Sequence, residues 1–293
     1  MRKAVGLWRG LRIASVLSKI YITVPVAATA GIGHIVYSGT LSPDLAPLLS
    51  GVFLLAAGSA SLNHYQEKET DAMMERTMNR PIPARLVSPR SVLLFSAILL
   101  AAGSAVLYFN FPHAVLLLGL LNFFWYNAVY TPLKKITAFA VVPGSLTGGI
   151  PPVIGWVAAG GYILDPVIIV IVLFFVIGQI PHFWLLVLKY GPEYEKAGFP
   201  SVSLIFSPIQ IRRISYVWIF AATASSLLLP LYGLIASPAS LVALLAGISM
   251  LFGLMLRQEI MSGKGGGSRL TFMSLNIFFV LIMTLLTLES LVF

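Results

Sequence analysis

Apolar residues fill nine stretches of the chain, at roughly 15–37, 45–64, 91–109, 113–131, 138–159, 164–188, 214–235, 238–256 and 270–292, and polar residues gather between them. A helix rises about 1.5 Å per residue, so about 20 residues cross the hydrocarbon of a bilayer. Open strands would leave their backbone groups unpaired in lipid. The pattern therefore predicts an all-α integral membrane protein with nine transmembrane helices. No change of composition marks a boundary, so one transmembrane domain over 1–293 is expected. The first apolar run follows a basic start and contains ATA at 28–30, like a cleavage site, but it continues past that point and reads as a retained helix.

Composition agrees. Of 293 residues, 58% are hydrophobic and only 10% are charged, more apolar surface than a soluble core of this size could bury. The absence of cysteine excludes disulfides, thiol catalysis and cysteine-ligated metals. The net charge of +9 alone would suit a nucleic-acid partner, but its placement argues against one. With nine spans the connections alternate sides, and all 19 basic residues fall on one side. That is the positive-inside pattern. It predicts a cytoplasmic N-terminus, an external C-terminus and basic loops against the anionic lipid of a cytoplasmic (inner) membrane.

Two segments on that same side hold six of the ten acidic residues. Glu67, Glu69, Asp71 and Glu75 follow the second span, and Glu193 and Glu195 follow the sixth. Asn63, Glu67 and Asp71 are spaced by four, so a helix continued through them would carry them on one stripe. Oxygen ligands one turn apart can hold a Mg²⁺ that keeps some waters and takes phosphate oxygens. Arg76 and Arg80 repeat the spacing and could grip phosphate through bidentate hydrogen bonds. A solvated loop of mutually paired charges would look the same. Two acidic segments at one surface suggest two halves of one site.

The pattern Asn63-x3-Glu67-x3-Asp71-x2-Met74-x-Arg76-Thr77-x2-Arg80-Pro81 resembles the first motif of the UbiA-type intramembrane prenyltransferases. YTPLKKIT at 130–137, GGIPPVIGW at 148–156, PHFWLLVLKY at 181–190 and EYEKAGFP at 193–200 are similar to the protoheme IX farnesyltransferase branch. The resemblance runs over roughly 15–290. It implies nine helices around a central cavity and Mg²⁺-assisted transfer of a prenyl group from a prenyl diphosphate, with farnesyl diphosphate as donor and haem B as acceptor in that branch. The family aspartate at position 67 is glutamate here, Glu193-Tyr194 replaces an Asp-Tyr pair, and Lys19-Ile20-Tyr21 replaces Lys-Pro-Arg.

The resemblance assigns one Mg²⁺ to Asn63, Glu67 and Asp71 and a second to Glu193 with Glu195. Arg76, Arg80, Lys134 and Lys196 become diphosphate contacts. Four histidines are available for haem iron. His34 and His113 fall near the outer ends of their spans, leaving His64 and His182. Tyr126 and Tyr130, with Asn122, Trp125 and Asn127, could line the pocket, since aromatic faces stabilise cations; an interfacial aromatic belt would also explain Trp125 and Tyr130. The fifth span carries Pro143, Gly144, Gly148, Gly149, Pro151 and Pro152 and should kink or unwind. GKGGGSR at 263–269 fails the phosphate-loop pattern and reads as a flexible cytoplasmic connection. Two other readings stand beside the haem branch. One is a related enzyme acting on a quinone precursor or other aromatic. The other is a non-catalytic transporter or scaffold, since transporters also use broken helices.

Overall fold

The computed structural model describes residues 2–260 and 268–292, with backbone alone at 2–7 and 268. The GKGGGSR connection lies almost wholly outside the described residues. Nine helices among the described residues are long and apolar enough to cross a membrane, beginning with Ile20–Ser38 and ending with Arg269–Val292.

Helix α1 (Arg2–Leu17) precedes the first span and is separated from α2 (Ile20–Ser38) by a turn at Lys19. The predicted span 15–37 therefore begins later, because Lys19 takes a left-handed conformation, φ 47°. Helix α3 (Leu45–Gln66) leads into the short α4 (Lys68–Met73), and α5 (Pro89–Asn110) returns across the membrane. The fourth span is composite: α6 (His113–Phe124), a π-helical turn at Trp125–Tyr130, and α7 (Thr131–Leu133). The fifth is α8 (Val141–Gly144) and α9 (Leu146–Ala158). Its predicted break falls at Ser145, and Pro151 and Pro152 are carried inside α9. Helix α10 (Pro166–Lys196) runs eight residues past the predicted end of the sixth span, so Glu193 and Glu195 stand on the helix itself. Helices α11 (Pro208–Ser226) and α12 (Leu228–Leu231) form the seventh span, and α13 (Pro238–Ile260) and α14 (Ser268–Val292) complete the bundle.

Helix starts follow a repeated local code. Ser88-Pro89, Asp165-Pro166 and Ser207-Pro208 each place a capping oxygen before a proline that lacks the N–H the first turn cannot use. Ser237-Pro238 follows the same code, Ser237 Oγ accepting from Ser240 N at 3.2 Å, and Glu289 on α14 reinforces it by accepting from the backbone N–H groups of Ala236 and Ser237 at 3.0 and 3.1 Å.

The helices pack in two groups, joined where Ile32 of α2 and Trp156 of α9 enter the core of the second. Leu48, Leu107 and Ile154 centre the contact of α2, α3, α5, α6 and α9. Phe174, Phe278 and Leu286 centre that of α10, α11, α13 and α14. Between α2 and α9 the backbones touch directly. A Cβ on Gly155 would stand 1.7 Å from the Ala30 carbonyl oxygen, and one on Gly33 2.0 Å from that of Pro152. Such close approach is the usual means by which small residues join helices in lipid. Large apolar side chains such as Leu94, Phe109 and Val217 point outward, as a lipid solvent requires. Both packed groups lend side chains, including Val52, Leu55 and Phe175, to a cavity of about 650 Å³.

Candidate active site

Asn63 ends the last turn of α3, and the chain bends at Glu67 before α4 begins. The helix is interrupted there, contrary to the continuous stripe expected. The i to i−4 backbone bonds nonetheless persist, from Glu67 N to Asn63 O at 3.0 Å and from Asp71 N to Glu67 O at 2.7 Å. Asn63, Glu67 and Asp71 therefore remain one turn apart. All three are buried and border the cavity.

Each of the three oxygens meets its own cation. Lys19 Nζ donates to Asn63 Oδ1 at 2.6 Å. Lys134 Nζ donates to Glu67 Oε1. Arg80 Nη1 donates to both carboxylate oxygens of Asp71, at 2.8 and 2.7 Å. The Asn63 amide is oriented by a second bond, from Nδ2 to Thr131 Oγ1 at 3.1 Å. Thr77 pins the turn that delivers Arg80, its Oγ1 donating to the Asp71 carbonyl at 2.9 Å. Burial works against charge on Glu67, but Lys134, with Lys19 and Arg80 nearby, holds its carboxyl below the usual range. Burial likewise works against charge on Lys134, and Glu67 outweighs it, so the ammonium stays protonated well above the usual lysine range.

The π-helical turn sets the register of the opposite wall. Thr131 Oγ1 returns to the Tyr126 carbonyl, five residues back, at 2.9 Å. Gln66 Nε2 donates to the Asn127 carbonyl at 3.0 Å, and Asn127 Nδ2 donates to Ser59 Oγ at 2.6 Å. These bonds join the turn to α3. Tyr126 and Tyr130 border the cavity, and the Lys134 ammonium stands 5.0 Å from the Tyr130 ring centre.

The other expected residues separate into two sets. His182 borders the cavity, with its ring 4.7 Å from that of Phe272 and hydrogen-bonded to the Asn276 side chain. Arg76 also borders it, but its guanidinium lies 5.0 Å from the Tyr190 ring and donates to Tyr194 Oη at 3.2 Å. His64 does not border it; its Nε2 lies 3.2 Å from the Val16 carbonyl, which can only accept, so the ring donates toward α1. Glu193 accepts the backbone N–H of Arg76 at 3.0 Å, and Glu195 accepts from Ser203 Oγ at 2.7 Å. Neither carboxylate borders the cavity, and nor does the exposed Lys196. The two acidic segments do meet, through the bond from Arg76 N to Glu193.

Lys19, Thr77, Thr131 and Tyr190 were not singled out as site residues from sequence. Lys19 carried a usable signal, being the basic residue embedded deepest in the first predicted apolar run.

Two carboxylates and an amide oxygen on successive turns are hard donors of the kind Mg²⁺ takes with water and phosphate completing its shell. Among the described residues no three acidic or histidine side chains converge, so the protein alone supplies a partial shell. Asn63, Glu67 and Asp71 fit that role.

The sequence matches the UbiA prenyltransferase family over residues 24–283. The chain belongs to the UbiA prenyltransferase family. It is 34% identical over 291 residues to a protoheme IX farnesyltransferase of Oleidesulfovibrio alaskensis, covering 96% of this chain and 98% of that one. A protoheme IX farnesyltransferase of Geobacter sulfurreducens is 38% identical over 219 residues, 72% of this chain and 77% of that one. Among solved structures, a UbiA homologue from Archaeoglobus fulgidus bound to GPP and Mg²⁺ superposes with a TM-score of 0.70 at 15% identity, covering 95% of this chain and 99% of that one. A digeranylgeranylglyceryl phosphate synthase superposes at 0.76 and 15% identity, covering 96% and 98%. The UbiA assignment sets aside the transporter reading of the broken fifth span, whose Gly148, Pro151 and Ile154 border the cavity.

Proposed function

We propose that this UbiA prenyltransferase transfers the farnesyl group of farnesyl diphosphate to a vinyl group of protohaem IX, converting haem B to haem O. The observation that carries this reading is the row of three ligand oxygens, each facing its own cation, at the charged end of an otherwise largely apolar cavity. Relatives named protoheme IX farnesyltransferase over most of the chain support the choice of substrates.

Asn63, Glu67 and Asp71 would hold Mg²⁺. When bound, the ion neutralises the charge that builds on a departing diphosphate. Lys19, Lys134 and Arg80 exchange their present partners for phosphate oxygens and add electrostatic stabilisation where charge develops. As the carbon–oxygen bond of the allylic diphosphate breaks, the Tyr126 and Tyr130 faces stand beside the carbon that becomes positive. The vinyl π electrons form the new carbon–carbon bond, and water adds to the resulting cation next to the porphyrin and loses a proton. An apolar cavity keeps water from capturing the prenyl carbon first. His182 is the imidazole placed to meet haem iron. The basic loops support a site at the cytoplasmic face of the inner membrane, with the N-terminus on the same side.

The test is incubation of purified protein with farnesyl diphosphate, Mg²⁺ and either haem B or 4-hydroxybenzoate, with products identified by mass. Haem B gaining one farnesyl group and one hydroxyl group is the expected result. Prenylated hydroxybenzoate alone would move the acceptor to quinone precursors. His182→Ala is expected to shift or abolish the Soret band of bound haem while leaving farnesyl diphosphate binding unchanged.

A further inference from the structure

Cavity-bordering residues of α3 are Asn63, Ala60, Ser59, Ala56, Leu55 and Val52. That alternating spacing of three and one is a single helix face. The face begins at the Lys19-bonded Asn63 and ends at Val52, because the next position on it, Leu48, is fully buried in the core and does not border the cavity. Eleven residues of helix give an arm about 16 Å deep.

The arm is apolar in character. The Ser59 hydroxyl is occupied by Asn127, and the Thr29 hydroxyl across the arm donates to the Val26 carbonyl at 2.8 Å. Asn122 also borders it and is its polar exception, with Oδ1 buried and without a hydrogen-bond partner. The far side of the cavity differs, since Gln179, His182 and Asn276 all face it from α10 and α14. A hydrocarbon chain fits the first surface, and an acceptor with polar groups fits the second.

Depth then selects length. An extended isoprene unit has four bonds of about 1.5 Å along its main chain and spans roughly 5 Å, so three units fill about 15 Å and a fourth exceeds the arm. Val52 forms the end wall, and Leu55, one turn nearer the mouth, narrows the arm just before it; both are almost fully buried. Leu55 sits back because position 119 of α6 is glycine. A Cβ there would stand 2.6 Å from Leu55 Cδ1 and 3.4 Å from Leu107 Cδ1, so the Leu55 side chain would be driven into the arm.

We infer that the arm along α3 receives the prenyl chain and that Leu55, seated against Gly119, limits it to three isoprene units. This rests on the prenyl-transfer reading above and adds which residues measure the chain. The experiment compares the C10, C15 and C20 all-trans diphosphates, with Mg²⁺ and haem B, in full-length wild type, Gly119→Ala, Leu55→Ala and the double variant. Chain-length ratios within one preparation are unaffected by partial loss of folded protein. Wild type should favour C15. Gly119→Ala should shift the C15/C10 ratio of kcat/KM toward C10 by roughly tenfold or more, the scale of one or two methylenes in an apolar pocket. Leu55→Ala should admit C20, and the double variant should return toward C15. Unchanged ratios in both single variants would overturn the inference. If wild type prenylates no acceptor, the transfer reading fails by itself, and the three diphosphates are then ranked by the rise in Tm each gives. The same shifts in rank across the variants would sustain the arm, and their absence would overturn it.

Discussion

The Lys19 ammonium donates to the amide oxygen of Asn63 at 2.6 Å, across a sequence separation of 44 residues, from a backbone held in the left-handed region. A non-glycine residue there costs of order 1 kcal/mol or more, and such strain persists where surrounding structure enforces it.

Lys19→Met keeps the apolar stem and removes the charge. Prenyl transfer is expected to fall about tenfold to a hundredfold, the range for losing one preorganised electrostatic contact. The check is initial rate of product formation alongside Tm. A wild-type rate would remove Lys19 from the site.

Asp71→Asn removes the charge that Arg80 binds through both oxygens. The Asp71 side chain is 1% exposed and that of Arg80 20%, so the arginine is left poorly solvated and without its partner. A loss of about 3 kcal/mol is expected, the lower end for breaking a buried pair, seen as a lower Tm without Mg²⁺. Transfer should be abolished even where the protein stays folded. Normal turnover would exclude Asp71 as a ligand.

Glu67 and Lys134 together predict a flat pH response. The Glu67 pKa lies below its unfolded value, so its contribution is complete above about pH 4.3 and lost only as pH falls through the lower, folded value. The Lys134 pKa is raised, so its contribution is complete below about pH 10.4 and lost only as pH rises through the higher, folded value. Tm measured in chelator from pH 5 to 9 should show no step due to this pair. A step present in wild type and absent in Glu67→Gln would refute the assignment. Glu67→Asp keeps the charge and should retain activity that Glu67→Gln loses.

Arg76→Lys separates two roles for that residue. Lysine keeps the charge but loses the planar contact with Tyr190 and the bond to Tyr194. If Arg76 joins the loop after α4 to the end of α10, Arg76→Lys should speed proteolysis within residues 74–87 by severalfold at unchanged global Tm. Wild-type proteolysis with weakened farnesyl diphosphate binding would make it a phosphate contact instead.

Nine spans and the first motif were legible in the sequence because lipid imposes length and apolarity, and because ligand spacing follows helix periodicity. The motif spacing survived even a bend at Glu67, since the backbone bonds on either side keep their i to i−4 partners. The fate of Glu193 and Glu195 was not legible. Their charges suggested a second ion site; what could not be read was the extension of α10 to Lys196, which sets Glu193 against Arg76 N and Glu195 against Ser203 Oγ. His64 and His182 were equally plausible by depth, and only the direction of each side chain, toward Val16 or into the cavity, distinguishes them. Lys19 was hidden because a basic residue at a membrane surface already has a sufficient explanation in topology.

The π-helical turn at Trp125–Tyr130 bears on how the gene can change. A turn of this kind is what one inserted codon leaves in an α-helix, and removing one would restore the regular winding. Each residue of an α-helix turns about 100°. A codon lost from a regular span would therefore swing everything after it by about 100°, whereas a single-codon deletion at Ala128 or Val129 is taken up by the wide turn and leaves Lys134 opposite Glu67 and Thr131 beside Asn63. The length of this one segment, counted in codons, is freer by one than that of a regular span.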